Sequence, residues 1–357
     1  MKRRAGKLWK RISPWFGLGG FRGPAILLYH RVIELESDPQ LLAVHPYRFD
    51  QHLDVLRRVA QPLPLIQFAE RAVAGTLPER AVCVTFDDGY ADNLLHARPR
   101  LERHDVPATV FVASGQLDSP REFWWDEIER LLLTAGNLPE ELSLEIAGER
   151  RTWRLGDSAE YTPRDQQRWR RWDVLHTSDP TPRHAVYRQL SVLLRTLTHE
   201  SQQHALDQLR RTAGVSAEGR GTHRAMSSQQ ARELADGDVV EVAAHTVTHP
   251  VLSKLDVARQ HAEIVDSRRK LEEVLGLPVH GFSYPFGTEQ DFSDETARIV
   301  RAAGFRYACA NVEGNVRPRG DRFRLPRFLV RDWDGATFTR KLEEWIGVRK
   351  PTARRAG

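Results

Sequence analysis

Apolar residues follow two rhythms along this chain. Short unbroken runs have the length and β-branched content of buried strands: Ala25 to Tyr29, Ala81-Val-Cys-Val-Thr-Phe86, Pro107 to Ala113, Val239 to Ala244, Val279 into Tyr284, and Phe305 to Ala310. Between them the spacing becomes helical. Phe49, Leu53, Val55 and Leu56 mark one amphipathic helix, and Ile66 to Ala74 a second that stops at Gly75. Asp92 to His104 predicts a helix disturbed by Pro99. Ser227 or Ser228 caps a helix through Ala235, and Asp256 to Leu275 is strongly periodic. Ser293 to Ala303, closed by Gly304, and Ala336 to Trp345 are the last two. Strand alternating with helix predicts an α/β chain built on a parallel sheet or barrel.

The alternation lapses from about 114 to 224. This stretch is dense in Arg, Glu and Gln and holds Trp124, Trp125, Trp153, Trp169 and Trp172. Trp125 to Leu133 has helical spacing, and Thr181 to Leu209 is rich in helix formers. We read it as a large helical insertion in a domain spanning 25–345. Either it caps the opening of that domain or it is a second packing layer that meets no substrate.

Charge refines the outline. The net charge of +5 hides an asymmetry: residues 1–33 carry eight Lys/Arg and no acid, and residues 349–357 carry four and no acid. Basic tails at 1–24 and 346–357 therefore flank an acidic body, which argues against a nucleic-acid surface. Met1-Lys-Arg-Arg resembles the start of a signal peptide, but Lys7, Lys10 and Arg11 break any apolar run after it. With no stretch of the ~20 apolar residues a bilayer span needs, a cytoplasmic protein is expected. Trp9, Ile12, Trp15 and Phe16 among the N-terminal cations leave two readings open, a solvated tail or contact with the anionic inner membrane face. Cys83 lies inside a buried strand far from Cys309, so core thiols are expected rather than a disulfide.

Two apolar runs end in residues that carry chemistry. Thr85-Phe-Asp-Asp-Gly89 brings Asp87 and Asp88 to the carboxyl edge of a sheet, where α/β proteins bind their ligands. Adjacent strand residues point to opposite faces, so both acids reach the opening only if the backbone distorts before Gly89. Glu241-Val-Ala-Ala-His-Thr-Val-Thr-His-Pro250 ends in His245 and His249. Thr246, Val247 and Thr248 are weak helix formers and Pro250 disfavours the α region before it, so an irregular turn is expected. Two imidazoles and one carboxylate make a metal site with room for water, and the other carboxylate is then available as a base. Alone, Asp-Gly is an ordinary surface turn and a buried histidine a core residue; together they point to metal chemistry.

These residues resemble the first two motifs of the polysaccharide deacetylases, the NodB-homology carbohydrate esterases, over about Ala25 to Trp345. The resemblance implies a distorted (β/α) barrel, with Asp87 as base and Asp88, His245 and His249 as ligands. Zn²⁺ is the simplest ion, with Co²⁺, Ni²⁺ and Fe²⁺ open. Tyr284-Pro285-Phe286 resembles the third motif, which makes the Phe286 amide the oxyanion donor; Tyr90 completes the substrate-facing set. Two departures stand out. Ser283 replaces the motif arginine that orients the base, leaving Arg327 or another arginine to reach in. No histidine follows His280, so the family's late acid is missing; Tyr29-His30 resembles a variant of some relatives and makes His30 the candidate. Trp333 is either a sugar-stacking surface or a packing residue, and Asp332 and Asp334 read as a solvated loop.

The expected activity is metal-dependent removal of an N-acetyl group from a sugar of a bacterial polysaccharide or lipid-linked saccharide. The Arg-rich insertion could favour an anionic one. The alternatives are a catalytically impaired glycan-binding or assembly protein that keeps the fold, and an amidase for a non-sugar amide. Acetate release from a saccharide separates the first from both.

Overall fold

The computed structural model describes residues 22–347, so the reading of the basic tails falls largely outside the described residues. Its core is one parallel sheet of eight strands: β1 (Ala25–Tyr29), β2 (Gln61–Pro62), β3 (Ala81–Phe86), β4 (Ala108–Val112), β5 (Val240–Ala244), β6 (Gly281–Ser283), β7 (Tyr307–Cys309) and β8 (Phe328–Leu329). The order is β7-β6-β5-β4-β3-β1-β8, with β2 beside the start of β3. The sheet curls until its edges nearly meet: a parallel bridge joins Cys309 of β7 to Leu325, just ahead of β8. This is the distorted barrel expected. β3 is buried along its whole length, as a strand covered on both faces must be. Cys83 and Cys309 are free, buried thiols inside it.

The helices are α1 (Pro46–Val59), α2 (Leu65–Ala74), α3 (Arg98–His104), α4 (Trp124–Leu133), α5 (Pro163–Trp169), α6 (Pro182–Leu194), α7 (His199–Ala213), α8 (Ser228–Ala235), α9 (Val257–Leu275), α10 (Asp294–Ala302) and α11 (Gly335–Ile346). Their ends follow the sequence signals. Ser227, Asp256, Ser293 and Asp334 each accept a backbone N–H at a helix start, and Gly75 closes α2 in the left-handed region. Pro99 takes the second position of α3, where its missing N–H costs nothing, and a π-turn over Asn93–Ala97 precedes it. Inward-facing Ile26, Cys83, Phe111, Ala243 and Cys309 form one apolar cluster with Phe68, Ala69 and Ala72 of α2.

The stretch between β4 and α8 has its own hydrophobic cluster, built on Trp125, Ile128, Leu132, Tyr187, Leu190 and Leu206. It is not wholly helical. Glu141–Ile146 and Glu149–Arg154 form an antiparallel hairpin, because Leu142, Leu144 and Ile146 alternate as a half-buried strand requires. Ala147 and Gly148, both at positive φ, make its two-residue turn.

Candidate metal centre and active site

Register places the chemistry. Tyr29 pairs with Phe86 across β1 and β3, so His30 lies level with Asp87, whose N–H donates to the Tyr29 carbonyl at 3.1 Å. Ala244 pairs with both Val112 and Phe282, so His245 lies level with Ser283. Four strands thus deliver His30, Asp87, Asp88, His245 and Ser283 to one carboxyl edge.

The expected distortion is present. Asp88 has φ 75° and Gly89 φ 84°, which turns the second acid back towards the opening. Thr246 (63°), His249 (60°) and Phe286 (59°) are also left-handed. Non-glycine residues rarely adopt such angles, and their clustering marks a strained functional loop set. Glu263 of α9 holds the loop between the histidines: its carboxylate accepts from the Val247 N–H (2.8 Å), the Thr248 N–H (2.9 Å) and the Thr248 hydroxyl (2.6 Å).

Asp88, His245 and His249 are buried, and one ligand atom from each lies within 4.8 Å of the others. His249 Nε2 is 3.3 Å and His245 Nε2 3.7 Å from Asp88 Oδ1. The His245 Nδ1 pairs with the Ser283 carbonyl at 2.7 Å, which turns Nε2 towards the acid. Burial pushes the His245 imidazole down to about 4 despite Asp87 and Asp88, so it rests in the neutral form a ligand needs. Two imidazole nitrogens and a carboxylate converging in this way suit a borderline divalent cation.

Asp87 is held differently. Its carboxylate receives both arms of Arg327, Nη1 on Oδ1 and Nη2 on Oδ2, each at 2.7 Å. Arg327 Nη2 also donates to the Ser283 hydroxyl (2.9 Å), which donates to Asp87 Oδ2 (3.2 Å). Burial alone would raise the Asp87 carboxyl; the Arg327 guanidinium and then His245 overcome it and hold the group well below the usual carboxylate range. Ser283 has thus ceded the arginine to a position just ahead of β8.

The pKa of half-buried His30 is lowered by burial, against the pull of Asp88 and then Asp87. Pro285 is buried beside Phe286. Among the described residues the Phe286 N–H has no acceptor, and its ring packs on His249 at 4.8 Å. Other candidates are committed elsewhere. The Tyr90 hydroxyl donates to Asp126 (2.6 Å) and accepts from the Trp125 indole (2.8 Å), making its side chain a wall. Tyr284 stacks on Phe292 at 3.9 Å and donates to the Phe323 carbonyl. Trp333 packs near Trp345 under Lys341, while Asp332 pairs with Arg48 and Asp334 caps α11.

Residues that no motif pointed to complete the site. Trp125 of α4 stands 5.0 Å from the His249 ring and Phe123 6.5 Å. Arg195, just after α6, lies 4.4 Å over the Phe286 ring and pairs with Asp291 at 2.6 Å. The segment between β4 and α8 therefore touches the second histidine and the third motif. A tryptophan-rich segment was visible in the sequence, but which of its rings reaches the site was not.

No curated protein matches the chain. Among solved structures it is similar to the deacetylase PplD of Streptococcus pyogenes in complex with acetate, at 17% identity and TM-score 0.55, over 90% of this chain and 99% of that one. It is also similar to IcaB from Ammonifex degensii, at 20% identity and TM-score 0.54, over 91% and 97%. A de-N-acetylase from Aggregatibacter actinomycetemcomitans follows at 17% and 0.51, over 89% and 99%. At such identities these likenesses establish the fold. The sequence itself matches the family described as polysaccharide deacetylase over residues 74–137 and 178–308, more than half its length, and the chain belongs to that family.

Proposed function

We propose that the protein hydrolyses the N-acetyl group of a sugar in a polysaccharide or lipid-linked saccharide, with a divalent cation, most simply Zn²⁺, held by Asp88, His245 and His249. One observation carries the reading: a buried Asp-His-His cluster shares a sheet edge with a carboxylate forked by an arginine. Bound there, the cation supplies Lewis acidity to the acetamide carbonyl and its attacking water.

The chain's own residues do the rest. Asp87, ionised at any working pH, takes a proton from the water as it attacks. Arg327 and the Ser283 hydroxyl fix the orientation of that carboxylate, so it meets the water without reorganising. The Phe286 N–H donates to the oxyanion as the carbonyl becomes tetrahedral. His30, across the strand pair from Asp87, is positioned to hand a proton to the departing amine. Trp125 and Phe123 exclude water from one side of His249.

The test is acetate release from N-acetylated oligosaccharides by wild type, Asp87→Asn and His30→Ala. Activity abolished in Asp87→Asn supports the reading. Undiminished activity in it removes the base, and a normal kcat in His30→Ala across pH removes the acid. Saccharide binding without acetate release by the metal-loaded wild type would favour the binding protein instead.

A further inference from the structure

The barrel face opposite the active site gathers positive charge from three separate stretches of sequence. The site occupies the carboxyl ends of the strands; six-residue β3 sets the other edge about 20 Å away. At that edge the segment 317–323 runs under the end of α2, where the Arg319 N–H donates to the Ala72 carbonyl at 2.8 Å. Arg319 and Arg322 line a shallow, open cavity there with Arg301 from the end of α10, over the Phe323 ring. Asp321 is the one carboxylate in that lining, and it lies beside Arg301 (3.6 Å) and Arg324 (3.8 Å). Arg317, Arg319 and Arg322 are exposed and, among the described residues, have no carboxylate within ion-pair distance.

Both ends of the described chain lie at this edge. Asn315 Nδ2 donates to the carbonyls of Gly23 (2.8 Å), Pro24 (3.3 Å) and Trp345 (3.0 Å), and Gly347 lies against the Arg22 side chain. The sequence before Arg22 carries six Lys/Arg and no acid, and that after Gly347 four and no acid. Thirteen cations, counting Arg317, Arg319 and Arg322, are thus attached to one face of an otherwise acidic body.

We propose that this face docks on an anionic phospholipid bilayer, with Arg301, Arg317, Arg319 and Arg322 against the headgroup phosphates and the carboxyl ends of the strands turned away. Charge complementarity selects an anionic partner. Trp9, Ile12, Trp15 and Phe16, interleaved with the N-terminal cations, select a bilayer over a nucleic acid, because such side chains suit the headgroup boundary. The acidic remainder would be repelled by a polyanion that wraps the protein.

The experiment is flotation of the full chain with vesicles of phosphatidylcholine alone and of phosphatidylcholine mixed with phosphatidylglycerol. Binding is expected only to the anionic vesicles and is lost as salt is added. The triple variant Arg317→Gln, Arg319→Gln, Arg322→Gln, with an unchanged melting temperature, should partition more weakly by roughly five-fold per arginine. Equal binding to neutral vesicles, or none to anionic ones at low salt, overturns the proposal. So does a triple variant that binds like wild type, since the barrel face would then be uninvolved, or a clear preference for short duplex DNA. Acetate release is measured separately, so this inference and the deacetylase reading fail independently.

Discussion

Arg327 meets Asp87 in a two-point fork, 2.7 Å on each arm, with both groups buried. Breaking such a pair from one side strands a charge, at a cost of about 3–5 kcal/mol. Arg327→Ala should therefore lower the melting temperature as well as activity. Arg327→Lys keeps a charge but loses the fork; it should fold yet lose roughly 10–100-fold in kcat. Calorimetry beside acetate release distinguishes the two, and full activity in the lysine variant would mean that orientation of Asp87 is unimportant.

The Asp88-His245-His249 cluster should take up about one divalent metal per chain. Mass spectrometry of metal content on protein purified without chelator checks this, with His245→Ala expected to lose the metal. Chelation should also lower thermal stability, because a ligand at a thousand times its Kd contributes about 4 kcal/mol to the folded state.

Glu263 should matter to metal affinity although it lies outside the cluster. Its carboxylate ties down the N–H groups of Val247 and Thr248 between the histidines, and the flanking Thr246 and His249 stand at positive φ. Glu263→Ala should weaken metal binding by roughly 10–100-fold, read by competition against a chromophoric chelator. Unchanged affinity would show that the loop holds its shape unaided.

Asp126 gives the fold a pH dependence. Burial raises its carboxyl to about 7, against the pull of Arg31 and the Tyr90 hydrogen bond, from an ordinary 3.8. Between those values the folded chain keeps a proton that the unfolded chain releases. Stability from this group is therefore full below about pH 4 and declines as pH rises through 7, by on the order of 2–4 kcal/mol. Asp126→Asn should flatten that decline in urea midpoints measured from pH 4 to 8. A slope as steep as in wild type would assign it to other groups.

What the sequence disclosed depended on local pattern. Asp87, Asp88, His245 and His249 end long apolar strands, so their edge could be read directly. Arg327 could only be named among possible substitutes, because two-residue β8 is too short to show a period and its pairing with β1 is non-local. The hairpin at Glu141–Arg154 was hidden in a segment rich in helix formers, where Leu142, Leu144 and Ile146 were the overlooked cue. Tyr284 stood in a motif beside reactive neighbours, yet strand geometry turned its ring into the core. Trp333 carried no signal to separate packing from stacking, since a tryptophan serves both.

Because Asn315 binds carbonyls near both ends of the described residues, Arg22 and Gly347 are neighbours in space. The polypeptide could be circularly permuted: a short linker would join those ends, and a cut between Ala147 and Gly148, at the exposed hairpin tip, would create new ones. Every strand pairing around the site would survive the rearrangement. The order in which this chain is synthesised is thus separable from the surface it builds.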